Sequence, residues 1–296
     1  MANDLNLRGV GVALVTPFKE SGEVDFGGLT RLIEHVSDWV DYLVVMGTTA
    51  ESPVLSFEEK TAVLDHAKKH NAKGLPIVFG IGGNNTAETI AAFGKFDLAG
   101  VSAILSVTPY YNKPNQQGLF GHYSAVIEAS PLPVILYNVP GRTGVNMTAA
   151  TTLKLAHQYK GKALAVKEAS GNLNQAAYIL RDRPEGFLVI SGDDNNTLPL
   201  VAMGGDGVIS VSSNAFPETF VRMVRAAMSG DMAGAASLNL ALLEATDLLF
   251  AEGNPTGIKA ALALKNITGN KLRLPLVTAS GELTAKLREQ MEKYSL

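Results

Sequence analysis

Gly11-Val12-Ala13-Leu14-Val15-Thr16-Pro17-Phe18 is the stretch that decides between two folds. Its apolar, β-branched run reads as a strand covered on both faces. In an open, doubly wound sheet the first strand leads into a glycine-rich loop that cradles phosphate. Here the strand leads into Thr16-Pro17-Phe18, which carries no such glycines. Working outward, seven further runs of the same kind follow: Tyr42 to Gly47, Ile77 to Ile81, Ala103 to Val107, Val134 to Tyr137, Ala163 to Lys167, Phe187 to Ser191 and Gly207 to Val211. They recur at intervals of roughly 20–35 residues, enough for one crossover helix each time. Eight β-then-α units without a break in composition predict an α/β fold, a (β/α)8 TIM barrel, over the open-sheet alternative.

The intervening segments read as helices. Ser56-Phe57-Glu58-Glu59 has the pattern of a capping box, Thr86-Ala87-Glu88-Thr89 opens a second helix less regularly, and Pro217-Glu218 starts a third. After the eighth unit about 80 residues remain, too many for one barrel helix and too few for a large second domain. Asp231 to Phe250, the segment from Asn254-Pro255-Thr256, and Glu282 to Lys293 predict a helical C-terminal extension. The expected division is therefore a barrel over 1–230 and the extension over 231–296.

The 296 residues are 46% hydrophobic and 18% charged, which supplies a large core. A net charge of −3 gives no ground for a nucleic-acid partner. With no cysteine there is no disulfide, thiolate metal site or cysteine nucleophile. The start, Met1-Ala2-Asn3-Asp4-Leu5-Asn6, lacks a basic and then apolar leader. No apolar run reads as long enough to span a membrane, so a soluble cytoplasmic protein is expected.

In such a barrel the chemistry lies on the loops after the strands. In Ala163-Leu164-Ala165-Val166-Lys167, a period of two puts Lys167 on the side of Ala163 and Ala165. Burial there would favour the neutral amine, a nucleophile able to form a Schiff base. The alternative is a strand-end lysine reaching water along its stem. Tyr137, in phase with Ile135, is expected to point its phenol toward Lys167 and to shuttle protons. Arg142, in Tyr137-Asn138-Val139-Pro140-Gly141-Arg142-Thr143, suits a carboxylate or an ordinary salt bridge. Gly47-Thr48-Thr49-Ala50-Glu51-Ser52 offers hydroxyls and loop N–H groups, or else a helix-capping turn. In Thr108-Pro109-Tyr110-Tyr111-Asn112-Lys113-Pro114 the two tyrosines read as packing. Gly192 leaves room for backbone to approach a ligand, and Asp193 and Asp194 read as caps of the next helix. His66 and His70 have the spacing of a metal pair but no accompanying glutamate motif, so a solvated helix face is expected rather than a metal site. Gly80-Ile81-Gly82-Gly83 reads as a turn.

Together these motifs resemble the pyruvate-dependent class I aldolases, the dihydrodipicolinate synthase and N-acetylneuraminate lyase family. The likeness covers nearly the whole length and rests on Gly47 to Ser52, Pro109 to Pro114, Tyr137 to Thr143, Val166-Lys167-Glu168 and Gly207 to Ser210. Ala50 departs from the family's usual glycine. The Pro140-Gly141-Arg142-Thr143 pattern sets the chain apart from the sialate lyases, which lack it.

The resemblance implies a lyase of lysine and diaminopimelate biosynthesis that joins pyruvate to aspartate semialdehyde without metal or organic cofactor. It implies that Lys167 forms the Schiff base and that Tyr137, Thr48 and Tyr111 form a hydroxyl relay, with Tyr111 reaching in from a neighbouring subunit of a homotetramer. Thr49 would bind the pyruvate carboxylate and Arg142 that of the semialdehyde, while Gly192 and Ile209 line the pocket through backbone atoms. Ser52, Asn84, Glu88 and Tyr110 match an effector cleft for lysine. Phe57 and Lys60 replace histidines common in lysine-sensitive relatives, so weak or absent inhibition is expected. Two other readings share the scaffold: a relative acting on a sugar-derived 2-keto acid, and a barrel that binds a keto acid without turning it over.

Overall fold

The computed structural model describes residues 5–296. Met1 to Asp4, part of the stretch read above for a leader, lies outside the described residues. The strands are β1 (Gly9–Ala13), β2 (Tyr42–Val45), β3 (Ile77–Gly80), β4 (Ala103–Val107), β5 (Val134–Asn138), β6 (Ala163–Glu168), β7 (Leu188–Ser191) and β8 (Gly207–Ser210). They follow sequence order round a closed barrel. The fold is the expected (β/α)8 TIM barrel with C-terminal helices.

The helices are α1 (Phe26–Ser37), α2 (Phe57–His70), α3 (Thr86–Phe93), α4 (Gln116–Ala129), α5 (Pro140–Thr143), α6 (Ala149–Gln158), α7 (Leu173–Asp182), α8 (Thr197–Ala202), α9 (Pro217–Met228), α10 (Met232–Ala251), α11 (Thr256–Leu264) and α12 (Gly281–Tyr294). Local chemistry sets many of their starts. Ser56 Oγ accepts from the Glu59 N–H at 3.2 Å, and Glu59 Oε2 accepts from the Ser56 N–H at 2.9 Å, which is the predicted capping box. At α3 the cap is Asn85 rather than Thr86, because the Asn85 side chain reaches the Ala87 and Glu88 amides.

Contacts group the chain into two compact units, one holding Pro76–Ile209 and the other Gly9–Leu75 with Ser210–Leu296. In the first, Phe79, Ile104, Ile135, Val166 and Val189 are fully buried core. Its strands pair in parallel from β3 to β8, with one irregularity: Val134 stands beside Ala163, but Ile135 stands beside Ala165. In the second unit, α9 and α10 pack together and α10 also meets α11 and α12.

Four expectations need correction. The first strand runs Gly9–Ala13, two residues earlier than its apolar run suggested, and Thr16 instead donates its hydroxyl to the Ala50 carbonyl at 2.8 Å. Gly80 to Gly83 does not turn: Ile81 N–H donates to Leu105 O at 3.1 Å, and a Cβ on Gly82 would lie 2.8 Å from Val107 N, so the glycine permits a close backbone approach. Asp193 and Asp194 do not cap α8; the helix starts after Asn196, and the Asp193 carboxylate instead accepts from Asn195 N–H and Asn196 Nδ2 in the turn before it. Finally, α10 is by length and composition apolar enough to cross a membrane. It nevertheless carries Glu244 and Asp247, and it buries Ala235, Leu242, Ala245 and Leu249.

Candidate active site

β5 and β6 run in parallel with Tyr137 opposite Lys167 and Asn138 opposite Glu168. Alternation sends the two pairs to opposite faces of the sheet. Lys167 and Tyr137 are both buried, and Lys167 Nζ lies 4.2 Å from the centroid of the Tyr137 ring. The phenol ring is therefore beside the amine, as its phase predicted, and the contact is with the ring's electron-rich face. Gly192, just past β7, closes this corner. A Cβ there would fall 2.7 Å from Ala169 Cβ and 3.0 Å from both Cγ and Cε of Lys167. The glycine leaves room for the lysine stem, a closer constraint than the ligand approach expected of it. Ile209 is buried in β8.

On the other face of the pair, Glu168 is buried and its oxygens are met by several donors. Ser170 N–H donates to Oε1 at 2.7 Å, Gln175 Nε2 to Oε2 at 3.0 Å, and Asn138 Nδ2 to both oxygens at 3.1–3.2 Å. Asn138 also donates to Asn146 Oδ1 at 2.8 Å and accepts from Met147 N–H at 2.9 Å. A buried carboxylate is tolerable only when donors replace its water. This network fixes the ends of β5 and β6, and hence the register of Tyr137 and Lys167. Sequence reading missed Asn138, Asn146 and Gln175 because each is an ordinary polar residue until the fold assembles them.

The loop after β4 is tied to the end of β5, since Thr108 donates both N–H and Oγ1 to the Tyr137 carbonyl at 2.9 and 3.0 Å. Beyond it, Tyr111 has φ 73° and is 88% exposed, and Tyr110 is 40% exposed. The expectation that this pair packs therefore fails within the chain. Arg142 sits exposed in the single turn α5, which starts at Pro140 and ends with Gly144 in the left-handed region.

In the second unit, Thr48 to Ala50 forms a 3₁₀ turn, and a second one spans Ser52 to Val54. Glu51 between them is left-handed with φ 55°. Thr49 is buried and its Oγ1 accepts from Asn254 Nδ2 at 3.0 Å. Glu51 is buried with Lys259, whose Nζ donates to Glu51 Oε1 at 2.5 Å and to the Lys271 carbonyl at 2.9 Å. Burial pushes the Lys259 ammonium down to about 8, against the pull of Glu51. Arg273 grips both carboxylates of this region: its N–H reaches Glu51 Oε2 at 3.1 Å and its guanidinium forks onto Glu59. That fork holds the Glu59 carboxyl down to about 2.

Of the expected effector residues, Ser52 and half-buried Lys60 lie in the second unit, where burial lowers the Lys60 ammonium pKa. Asn84, Glu88 and Tyr110 lie in the first, where Asn112 Nδ2 donates to the Asn84 carbonyl at 2.9 Å. His66 and His70 stack with ring centroids 4.1 Å apart, and the His66 ring nitrogen meets Thr30 Oγ1 at 2.8 Å.

A sequence model described as the dihydrodipicolinate synthetase family matches residues 6–294. The chain belongs to that family. A 4-hydroxy-tetrahydrodipicolinate synthase of Parabacteroides distasonis is 48% identical over 294 residues, 99% of each chain. The dihydrodipicolinate synthase structure from Aquifex aeolicus superposes with a TM-score of 0.93 at 40% identity, covering 98% of this chain and 99% of that one. The synthase of Cyanidioschyzon merolae, solved with lysine bound, gives 0.93 at 40% identity over 99% of this chain and 100% of that one. Family membership makes the chain a lyase of the class I aldolase type.

Proposed function

We propose that Lys167 is the Schiff-base residue of a synthase that condenses pyruvate with L-aspartate 4-semialdehyde to 4-hydroxy-tetrahydrodipicolinate, in lysine and diaminopimelate biosynthesis. The observation that carries this is the Lys167 amine, buried beside Tyr137 at a barrel strand end in a chain of this family. The neutral amine adds to the keto carbon of pyruvate and water leaves. The resulting iminium withdraws electrons, so a methyl proton departs and an enamine forms. The enamine carbon bonds to the semialdehyde carbon, whose oxygen takes up a proton. The product's own amine then closes on the former keto carbon and expels Lys167.

Tyr137 moves the protons, with Thr48 and Tyr111 as further hydroxyls of the relay. Thr49 holds the pyruvate carboxylate and Arg142 that of the semialdehyde, while Gly192 and Ile209 shape the pocket. Incubation with pyruvate and borohydride, followed by mass measurement, tests this reading. A stable adduct on Lys167, absent from Lys167→Ala, is expected. With no adduct, only a keto-acid-binding barrel survives. An adduct without turnover of the semialdehyde redirects the reading to another aldehyde, such as a sugar.

The working form in this reading is a cytoplasmic homotetramer, a dimer of dimers in which Tyr111 enters the neighbouring subunit's site. Its 88% exposure and positive φ suit a side chain presented to a second copy. Mixed Tyr111→Phe and Lys167→Ala subunits are expected to exceed either parent in activity. Feedback by lysine is weak or absent in this reading. Lys60 would bring an ammonium toward that of the ligand, a repulsion of roughly 1–4 kcal/mol at about 4 Å, and Phe57 offers no polar side-chain contact. A complete inhibition curve with a micromolar midpoint at saturating pyruvate counts against this.

A further inference from the structure

We propose that the segment from Asn254 to Lys259 is a positioning clamp for the loop that receives the pyruvate carboxylate, with Asn254 setting the Thr49 hydroxyl and Lys259 anchoring Glu51. This rests on reading Thr49 as the carboxylate-binding residue. It gives the C-terminal extension a part in catalysis that its distance in sequence conceals.

Inside the loop, Ala50 N–H donates to Gly47 O and Glu51 N–H to Thr48 O, each at 3.1 Å, against an unfavourable backbone. Met46 and Glu51, one on each side of the Thr48 turn, are left-handed at φ 60° and 55°, a region unfavourable to residues other than glycine. Outside ties must therefore stabilise the shape. Thr16 takes the Ala50 carbonyl at 2.8 Å. Asn254 takes the Thr49 hydroxyl at 3.0 Å, and Lys259 takes the Glu51 carboxylate at 2.5 Å. The last two come from one short stretch at the start of α11, Asn254 just before the helix and Lys259 within its first turn.

The direction of the Asn254 bond matters as much as its length. A threonine hydroxyl has one hydrogen and two lone pairs. Nδ2 of Asn254 can only donate, so it occupies a lone pair of Thr49 Oγ1. The hydroxyl hydrogen is thereby left to donate elsewhere, which is the polarity an anionic carboxylate requires. Lys259 is fully buried, with Phe18 4.2 Å below its Nζ. Glu51 and Arg273 are the charged groups that face it, and Glu59 lies beyond Arg273. Such a buried ion pair is poor value as stabilisation alone. It does hold one backbone geometry, because moving Glu51 would leave both charges unpaired.

The test is a set of steady-state measurements on the full chain. Thr49→Val and Asn254→Ala should each raise the pyruvate KM about tenfold, the scale of one lost hydrogen bond, and raise the semialdehyde KM much less. In the Thr49→Val background, Asn254→Ala should add nothing further, since it acts through that hydroxyl. Equal effects on both substrates, or full additivity, would overturn the clamp. If Thr49→Val alone leaves the pyruvate KM unchanged, the carboxylate reading fails and the clamp with it. If only Asn254→Ala leaves it unchanged, the clamp fails alone. A second variant, Glu51→Gln with Lys259→Met, removes the charges together and guards against misfolding. Its melting temperature should stay near that of the unmodified protein while its pyruvate KM rises; an unchanged KM in the folded double variant overturns the role of Lys259.

Discussion

Replacing Gly192 by alanine adds one methyl group at the place where the Lys167 stem passes. The new Cβ would lie 2.7 Å from Ala169 Cβ and 3.0 Å from two carbons of Lys167. Carbon atoms prefer about 3.5–4.0 Å, so the contact with Ala169 must open by roughly 0.8–1.3 Å and those with Lys167 by roughly 0.5–1 Å. Ala169 Cβ is fixed to its backbone, and Ala169 N–H is itself bonded to the Asn138 carbonyl at 2.8 Å. The Ala169 contact is relieved only by a shift of backbone at residue 192 or 169, while the softer lysine stem is pushed aside by the new methyl group. Overpacking of this kind costs about 1–3 kcal/mol of stability. An amine displaced by about 1 Å loses on the order of 100-fold in rate. Gly192→Ala should therefore fold with a modestly lower melting temperature, yet trap pyruvate with borohydride far more slowly. The two readouts are a thermal melt and the time course of adduct mass. Trapping at the unmodified rate would refute the argument that this glycine exists to admit the lysine stem.

Arg142→Ala should reduce kcat/KM for the semialdehyde by about 10- to 100-fold, from a lost charged hydrogen bond of about 1.5–3 kcal/mol, with a smaller change for pyruvate; equal losses would mean that Arg142 only shapes its loop. Glu168→Gln replaces one of the two carboxylate oxygens with an amide NH2 and so faces either the Ser170 N–H or the Gln175 amide with a second donor; a melting temperature lowered by the equivalent of about 1–3 kcal/mol is expected, together with slower pyruvate trapping. Unaltered trapping in the folded variant would uncouple that network from Lys167. Lys259 predicts an unusual pH dependence of stability. Its folded pKa of about 8 lies below the ordinary 10.5, so between these values the unfolded chain holds more protons. Stability should then rise with pH across that window, by up to about 3 kcal/mol at ~1.4 kcal/mol per pH unit. Urea unfolding from pH 7 to 10.5 should show the rise, and Glu51→Gln with Lys259→Met should lack it; identical slopes would contradict the assignment.

What the sequence made legible was local. The eight apolar runs, the Ser56–Glu59 capping box and the phase of Tyr137 and Lys167 each depend on neighbours a few positions away, and each stands in the structure. The partners of the Thr48–Glu51 loop do not. Thr49 meets Asn254 across 205 positions, and Glu51 meets Lys259 across 208. Neither pair leaves a periodic trace, because a single contact between two loops imposes no repeat. The start of β1 was misplaced for a related reason. Gly9 and Val10 are as buried as the residues that follow, but two residues are too few to extend an apolar pattern. Tyr110 and Tyr111 misled differently: aromatic character reports an apolar surface, and it does not say whether this chain or another covers it.

The irregular pairing at the start of β5 and β6 decides which residues face one another beyond it. Val134 stands beside Ala163 and Ile135 beside Ala165, so Leu164 is an extra residue on one strand. Had the spacing of the first pair continued, Tyr137 would stand opposite Val166. The extra residue brings Lys167 into that place. Reactivity here thus depends on a count as well as on residue identities. A chain without Leu164 would pair regularly from Val134 onward and still set Tyr137 beside Lys167, whereas one that kept Leu164 in a regular ladder would set Val166 there instead. The residue count ahead of Ala165 and the irregularity must therefore change together, and anyone transplanting this site to another barrel would either carry both or leave both out.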